Sequence, residues 1–222
     1  MADSADDRGL RVGAPASEGV GAGVPAGLLR QEFPRLESPS ERDMAVVRRQ
    51  VGRPARGEVL VARRCPRGLP AVILTPPFEA GGERMPPLLW LSCPSAAKET
   101  AGLESEGLIA GFAGRLREDR NAMELFLEDE ERFARAFSLA ASCSGGALAE
   151  RLGERGVAGG RRGAVKCLHA HVAYRLAAAP SRENEPRQSA AESPGLVGRW
   201  CLEELENRSG VWCDRTPQAC LD

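Results

Sequence analysis

Ten of the 222 residues are aromatic, two are histidine and two are lysine, Lys98 and Lys166. The remaining 28 of the 30 basic residues are arginine, which reads as compositional bias rather than as arginine chemistry. An apolar content of 42% is slightly below the usual ~45–50% and excludes a core that draws on the whole chain. No apolar run approaches the ~20 residues that a membrane-spanning helix needs, so no membrane partner is expected. The stretch Met1–Leu10 is polar and acidic and lacks the apolar segment of a secretory signal, which predicts a cytoplasmic protein. A net charge of −1 argues against a dedicated nucleic-acid binder. There is no C-x-x-C, so zinc ribbons and thioredoxin-type redox motifs lose their main cue. Walker loops, G-x-G-x-x-G, H-E-x-x-H and G-x-S-x-G are also missing.

What is present begins with punctuation. Gly (25) and Pro (16) are abundant, and up to about residue 39 they leave little periodicity, as expected of a disordered arm. Ser40 and Asp43 form an N-cap and acceptor pair that should open a helix running to about Val51. Strands are expected at Glu58–Arg63, Pro70–Thr75 and Leu88–Ser92. The first two form a hairpin with Cys65 at its bend, where Pro66 and Gly68 suit a tight turn. From Pro94 the pattern turns helical, with helices expected over 95–106, 108–116, 121–141 and 164–179, a short one over 147–152 and a last one over 200–207. These elements predict an α+β protein: a small, mostly antiparallel sheet of about three strands packed against several helices. The expected organisation is a disordered arm over 1–39, a single domain over 40–179, and a linker with a Cys- and Trp-containing tail over 180–222.

Charge is unevenly placed. Residues 41–68 carry eight arginines against three acids, 99–134 carry ten acids against four arginines, and 155–187 carry seven basic residues against two acids. Such blocks read first as solvated faces that attract one another. The run Glu128-Asp129-Glu130-Glu131 is expected to be one wet helical face.

Seven cysteines, Cys65, Cys93, Cys143, Cys167, Cys201, Cys213 and Cys220, supply the remaining chemistry. A disulfide framework is not expected in a cytoplasmic chain. Cys143 lies among small residues and reads as filler, and the roles of Cys201, Cys213 and Cys220 stay open. Cys65 sits in a turn and Cys93 at a strand-to-helix switch. Cys167 stands in Lys166-Cys167-Leu168-His169-Ala170-His171, which contains both histidines of the protein. Cys65, Cys93 and Cys167 with one histidine would make a closed Cys3His site, a structural zinc. In a regular helix His171 shares the face of Cys167, whereas His169 lies about 200° round. His169 and Cys167 can meet on one metal only if Cys167 lies in a frayed first turn. Cys93, beside a helix N-terminus, is also a candidate nucleophile.

The segments Arg49–Gly57, Arg64–Val72, Leu89–Pro94 with Leu103–Gly107, and Val165–Ala170 follow one another in an order that resembles the bacterial, mainly actinobacterial, domain-of-unknown-function family 501. The resemblance covers about residues 43–179, and its most specific parts are Cys93-Pro94 and Lys166-Cys167-Leu168-His169. It implies no particular reaction. It falls on Cys65, Cys93, Cys167 and His169 and not on His171, and so implies those four as the metal set; helical periodicity prefers His171 as the fourth ligand, and His171 is kept as the alternate. Gly102 and Tyr174 depart from the family pattern, and Pro180–Arg187 lacks the Asn-Pro-x-Gly that follows the helix in the family. The resulting expectation is a zinc-stapled binding or interaction protein that acts through a protein partner without catalysis. The alternatives are an enzyme on an anionic, phosphate-type substrate that uses Cys93 or His169, and an iron–sulfur protein.

Overall fold

The computed structural model describes residues 26–52, 58–75, 88–142, 156–159, 162–179 and 194–209. The apolar, β-branched runs pair as expected. Strands β1 (Leu60–Arg64), β2 (Pro70–Leu74) and β3 (Leu89–Leu91) form one antiparallel sheet in that order. The hairpin closes where Cys65 N–H donates to the Leu69 carbonyl (2.8 Å) and Gly68 N–H to the Cys65 carbonyl (2.9 Å). Gly68 sits at φ +79°, a conformation that a Cβ would strain.

Every residue of β2 is buried, because both faces of the sheet are covered. Val59 and Ile73 pack with Val47 of helix α2 (Glu41–Val51) on one face. Leu60, Ala62, Val72, Leu74 and Leu89 join the main core on the other. That core is helical: α1 (Ala26–Leu29), α3 (Pro94–Ser105), α4 (Leu108–Glu118), α5 (Arg120–Ser142), α6 (Leu168–Ala178) and α7 (Leu196–Ser209). Among the described residues the chain is thus seven helices around a three-stranded antiparallel sheet, the α+β architecture expected. None of these helices is long and apolar enough to cross a membrane.

Helix α2 starts as the sequence predicts. Asp43 N–H donates to Ser40 Oγ (3.1 Å), and Ser40 N–H donates back to Asp43 Oδ2 (2.9 Å). The same carboxylate receives both terminal nitrogens of Arg64, at 2.7 and 2.9 Å, while Arg64 Nε reaches Glu37 at 2.6 Å. One ion-pair cluster therefore ties α2, the hairpin and the segment before α2 together. The Arg64 guanidinium holds the Asp43 carboxyl well below the usual carboxylate range against the opposing effect of burial.

Three expectations need correction. The disordered arm cannot extend to residue 39, because Leu29, Phe33 and Leu36 are buried in the main core. Glu37 also exchanges two backbone hydrogen bonds with Val61, both 2.9 Å, along the outer edge of β1. Their spacing of four and three residues is a short apolar stripe inside a Gly/Ala/Pro-rich region, and its partner, Tyr174, is remote in sequence. Nor does the folded unit end at 179. Helix α7 begins earlier than expected and buries Leu196, Val197, Trp200, Cys201 and Leu205 against the rest.

The third correction concerns the acidic run. Glu128 and Glu131 are exposed, but Asp129 and Glu130 are only 7% and 1% exposed. Asp129 accepts the N–H groups of Gly195 (2.8 Å) and Leu196 (2.7 Å), where α7 starts. Glu130 accepts those of Val157 and Gly163, both at 3.0 Å. Burial pushes both carboxyls up, and the backbone donors oppose it. Buried acids are tolerated only with such partners, and these donors lie far away in sequence. The helix expected over 147–152, and Cys143, Cys213 and Cys220, lie outside the described residues.

Two measurements test this framework. Asp43→Asn should cost about 1–3 kcal/mol at neutral pH through the lost cap and ion pair. The folded carboxyl titrates below its ordinary value of 3.8, so its stabilisation is present above that pH and disappears as the pH falls through the folded pKa. The gap in melting temperature between parent and variant should therefore be widest at neutral pH and close on acidification. Gly198→Ala in α7 should destabilise by about 1–3 kcal/mol in thermal unfolding, although alanine is the better helix former. A Cβ there would overlap the His171 carbonyl of α6.

Candidate functional site

Helix α6 is expected from Ala164 but starts only at Leu168. Cys167 is its N-cap, with extended backbone (φ −145°, ψ 115°) and no side-chain capping bond. That departure fulfils the condition under which Cys167 and His169 can face one point. What caps the helix instead is Glu104 of α3, whose Oε1 accepts the Leu168 N–H at 2.6 Å. Ala97 and Glu104 are seven residues apart, two turns along one face of α3. His169 lies along that face, with Nδ1 3.1 Å from Glu104 Oε1 and Nε2 3.0 Å from the Ala97 carbonyl.

A carbonyl can only accept, so Nε2 carries a hydrogen and Nδ1 faces the acidic side. The ligand atoms of Glu104, Cys167 and His169 all lie within 4.8 Å of one another. The site is half-buried: the side chains of His169 and Glu104 are 30% and 26% exposed. The hydrogen bond to Cys167 raises the His169 pKa to about 9, burial opposes it, and the Glu104 carboxylate adds to the rise. Burial disfavours the charged form of Glu104, but hydrogen bonds from His169 and the Leu168 N–H outweigh it and hold the carboxyl below its ordinary value.

Two of the four residues implied as ligands, Cys167 and His169, are thus brought together. Cys65 and Cys93 share a separate small cluster with Val46, Leu69, Ala71 and Ala96, between the hairpin bend and the start of α3. Among the described residues, no group of three or more ligand atoms includes either of them. His171, the alternate, turns inward to pack on Phe126 with ring centroids 5.7 Å apart. Burial lowers its pKa to about 4, and its Nε2 has no hydrogen-bond partner among the described residues.

Glu104 is the residue that sequence reasoning missed. It lies within the segment Leu103–Gly107 that carried the resemblance, but an acid on a helix reads as surface until its partner 64 residues later is known. Cys201 of α7 belongs to the same neighbourhood. Burial pushes its thiol up to about 12, and the charges of Glu104 and Cys167 add to that.

No curated protein and no solved structure matches the chain. Residues 61–186, more than half of it, match the sequence model described as "Protein of unknown function (DUF501)" and include Glu104, Cys167 and His169; the chain belongs to that family.

Proposed function

We propose that this protein binds a divalent metal ion, zinc by its donor chemistry, through Glu104, Cys167 and His169. The observation that carries the reading is the convergence of three ligand atoms within 4.8 Å around a histidine whose other nitrogen is already held by the Ala97 carbonyl. Metal-bound histidines commonly donate their second N–H to a carbonyl or carboxylate in this way. One thiolate, one imidazole and one carboxylate suit zinc, whereas an iron–sulfur cluster needs several thiolates. Three protein ligands also leave a tetrahedral ion one free position. Closed four-ligand sites are structural, whereas a three-ligand site admits water or a bound molecule. The reading is therefore of an open metal centre rather than a closed staple.

Elemental analysis of the purified full chain should find one zinc per chain, or take up one on reconstitution. Cys167→Ser and His169→Ala should each lower zinc affinity by at least about tenfold. Failure to hold stoichiometric metal, or a Cys167→Ser variant that binds zinc like the parent, would end the proposal. Glu104 separates ligation from folding. Glu104→Gln keeps an oxygen for the Leu168 N–H and should keep its melting temperature while losing zinc affinity. Glu104→Ala should in addition lose about 1 kcal/mol as α6 loses its cap.

A second reading is favoured by the placement of His169 beside the half-buried Cys167, a histidine–cysteine pair of the kind that serves nucleophilic chemistry. It requires Cys167 of the metal-free protein to be alkylated faster at neutral pH than Cys65, Cys93 or Cys201, which are buried. Equal, slow reaction of all four would exclude it.

A further inference from the structure

Cys201 is fully buried on α7 and is not one of the three converging ligands. Its place follows from how α7 lies on α6. A Cβ at Gly195 would stand 2.8 Å from the Arg175 Cα, and a Cβ at Gly198 would overlap the His171 carbonyl. A step forward on α7 from Gly195 to Gly198 is thus a step backward on α6 from Arg175 to His171, so the two helices run antiparallel. The next step on the same face of α7 is Cys201, and it falls level with Leu168 and Cys167, where α6 begins. With no side chain between them at Gly198 the two backbones are in contact. A disulfide needs such closeness, because its Cα atoms stand only ~4.4–6.8 Å apart. The far end of α7 is tied to the same place: Arg208 Nη1 donates to Glu106 Oε2 at 2.6 Å, just beyond Glu104 on α3. The charges of Glu104 and Cys167 both act on the Cys201 thiol. Cys201 therefore stands behind the site, where α3, α6 and α7 meet, whereas Cys65 and Cys93 belong to another cluster.

We infer that Cys167 and Cys201 are a redox pair: a peroxide joins them in a disulfide, which takes Cys167 from the metal centre and releases the ion. The inference rests on the proposed metal centre for its consequence, and on the contact between α6 and α7 for the bond itself. Cys167 is half-buried and open to a small oxidant, whereas Cys201 is shielded and reacts only through Cys167. The Cys167 thiolate attacks one oxygen of the peroxide and the O–O bond breaks. The other oxygen leaves as hydroxide and takes up a proton to become water. The Cys201 sulfur then attacks the Cys167 sulfenic acid. An S–S bond forms, the S–O bond breaks, and the hydroxyl leaves as water with the Cys201 proton. Each sulfur gives up one electron, and the peroxide takes up both. A metal ligand must be a thiolate, which a disulfide sulfur is not, so an ion held by three protein ligands keeps two. A dithiol reductant reverses the change by exchange.

The test treats the zinc-loaded full chain with hydrogen peroxide at neutral pH, alkylates the remaining thiols and maps every cysteine by mass spectrometry of peptides. A Cys167–Cys201 link should form within the chain, two thiols should disappear, and one zinc should pass to a chelating indicator. Dithiothreitol should restore both thiols and zinc binding. Cys201→Ala should bind zinc like the parent, but under peroxide its Cys167 should go on to the sulfinic acid, which dithiothreitol does not reverse. The link in the parent is read without any variant, so a Cys201→Ala chain that folds poorly leaves the test intact. A parent whose Cys167 is over-oxidised without pairing, pairs with any other cysteine, or pairs with Cys201 while the zinc stays bound would overturn the inference. Zinc content of the untreated parent separates the two readings. If it holds zinc and forms no link, the metal reading stands and the redox pair falls. If it holds none but forms the link reversibly, the metal reading falls and the thiol pair remains.

Discussion

The Leu168 N–H reaches the Glu104 carboxylate at 2.6 Å, and at that bond α6 begins one residue after Cys167. A helix must find acceptors for its first N–H groups. Cys167 provides none from its side chain, so α3 supplies one from 64 residues earlier. The same oxygen holds His169 Nδ1, which orients the ring so that its far nitrogen meets the Ala97 carbonyl. Cys167 stays extended, and its sulfur remains on the side of the imidazole. Without this cap the helix could start earlier, and the thiol and the imidazole would point about 200° apart.

The same device recurs in the rest of the fold. Asp129 satisfies the first N–H groups at α7, and Glu130 satisfies two N–H groups in the segment that leads to Cys167. A chain with few aromatics and moderate apolar content gains order by spending buried carboxylates on backbone donors. Each pair would be expensive to bury alone, and together they join elements that share little sequence proximity. Among the described residues, several of the scarce aromatics join these helices. Tyr174 of α6 meets Phe33 and Phe133 edge-on, His171 leans on Phe126, and Trp200 of α7 packs on Phe112 with Arg115 over its ring. Helix α6, which carries His169, is thus backed by large side chains on its buried side.

Much of this was legible in local signals. The Ser40–Asp43 box, the Cys65–Gly68 turn and the three strands all follow from short-range sterics and hydrogen bonding, and each appears close to where the sequence places it. The resemblance to the family also rests on local segments, and the match over residues 61–186 confirms it. Local reading misjudged residues whose partners are remote. Leu29, Phe33 and Leu36 look like part of an arm until the main core covers them, with Tyr174 edge-on to Phe33. Asp129 and Glu130 look wet until Gly195, Leu196, Val157 and Gly163 turn their N–H groups toward them.

The sequence alone determined the fold class, because periodicity and turn chemistry act over a few residues, and it determined the concentration of both histidines beside Cys167; the family followed from the resemblance of local segments. Tertiary structure decided which residues share a point. It brought Glu104 to Cys167 and His169, set Cys65 and Cys93 in an apolar cluster of their own, and turned His171 into the core. Helical periodicity assumes that the helix already includes Cys167. Where a helix starts depends on which acceptor meets its first N–H groups, and here that acceptor comes from another helix.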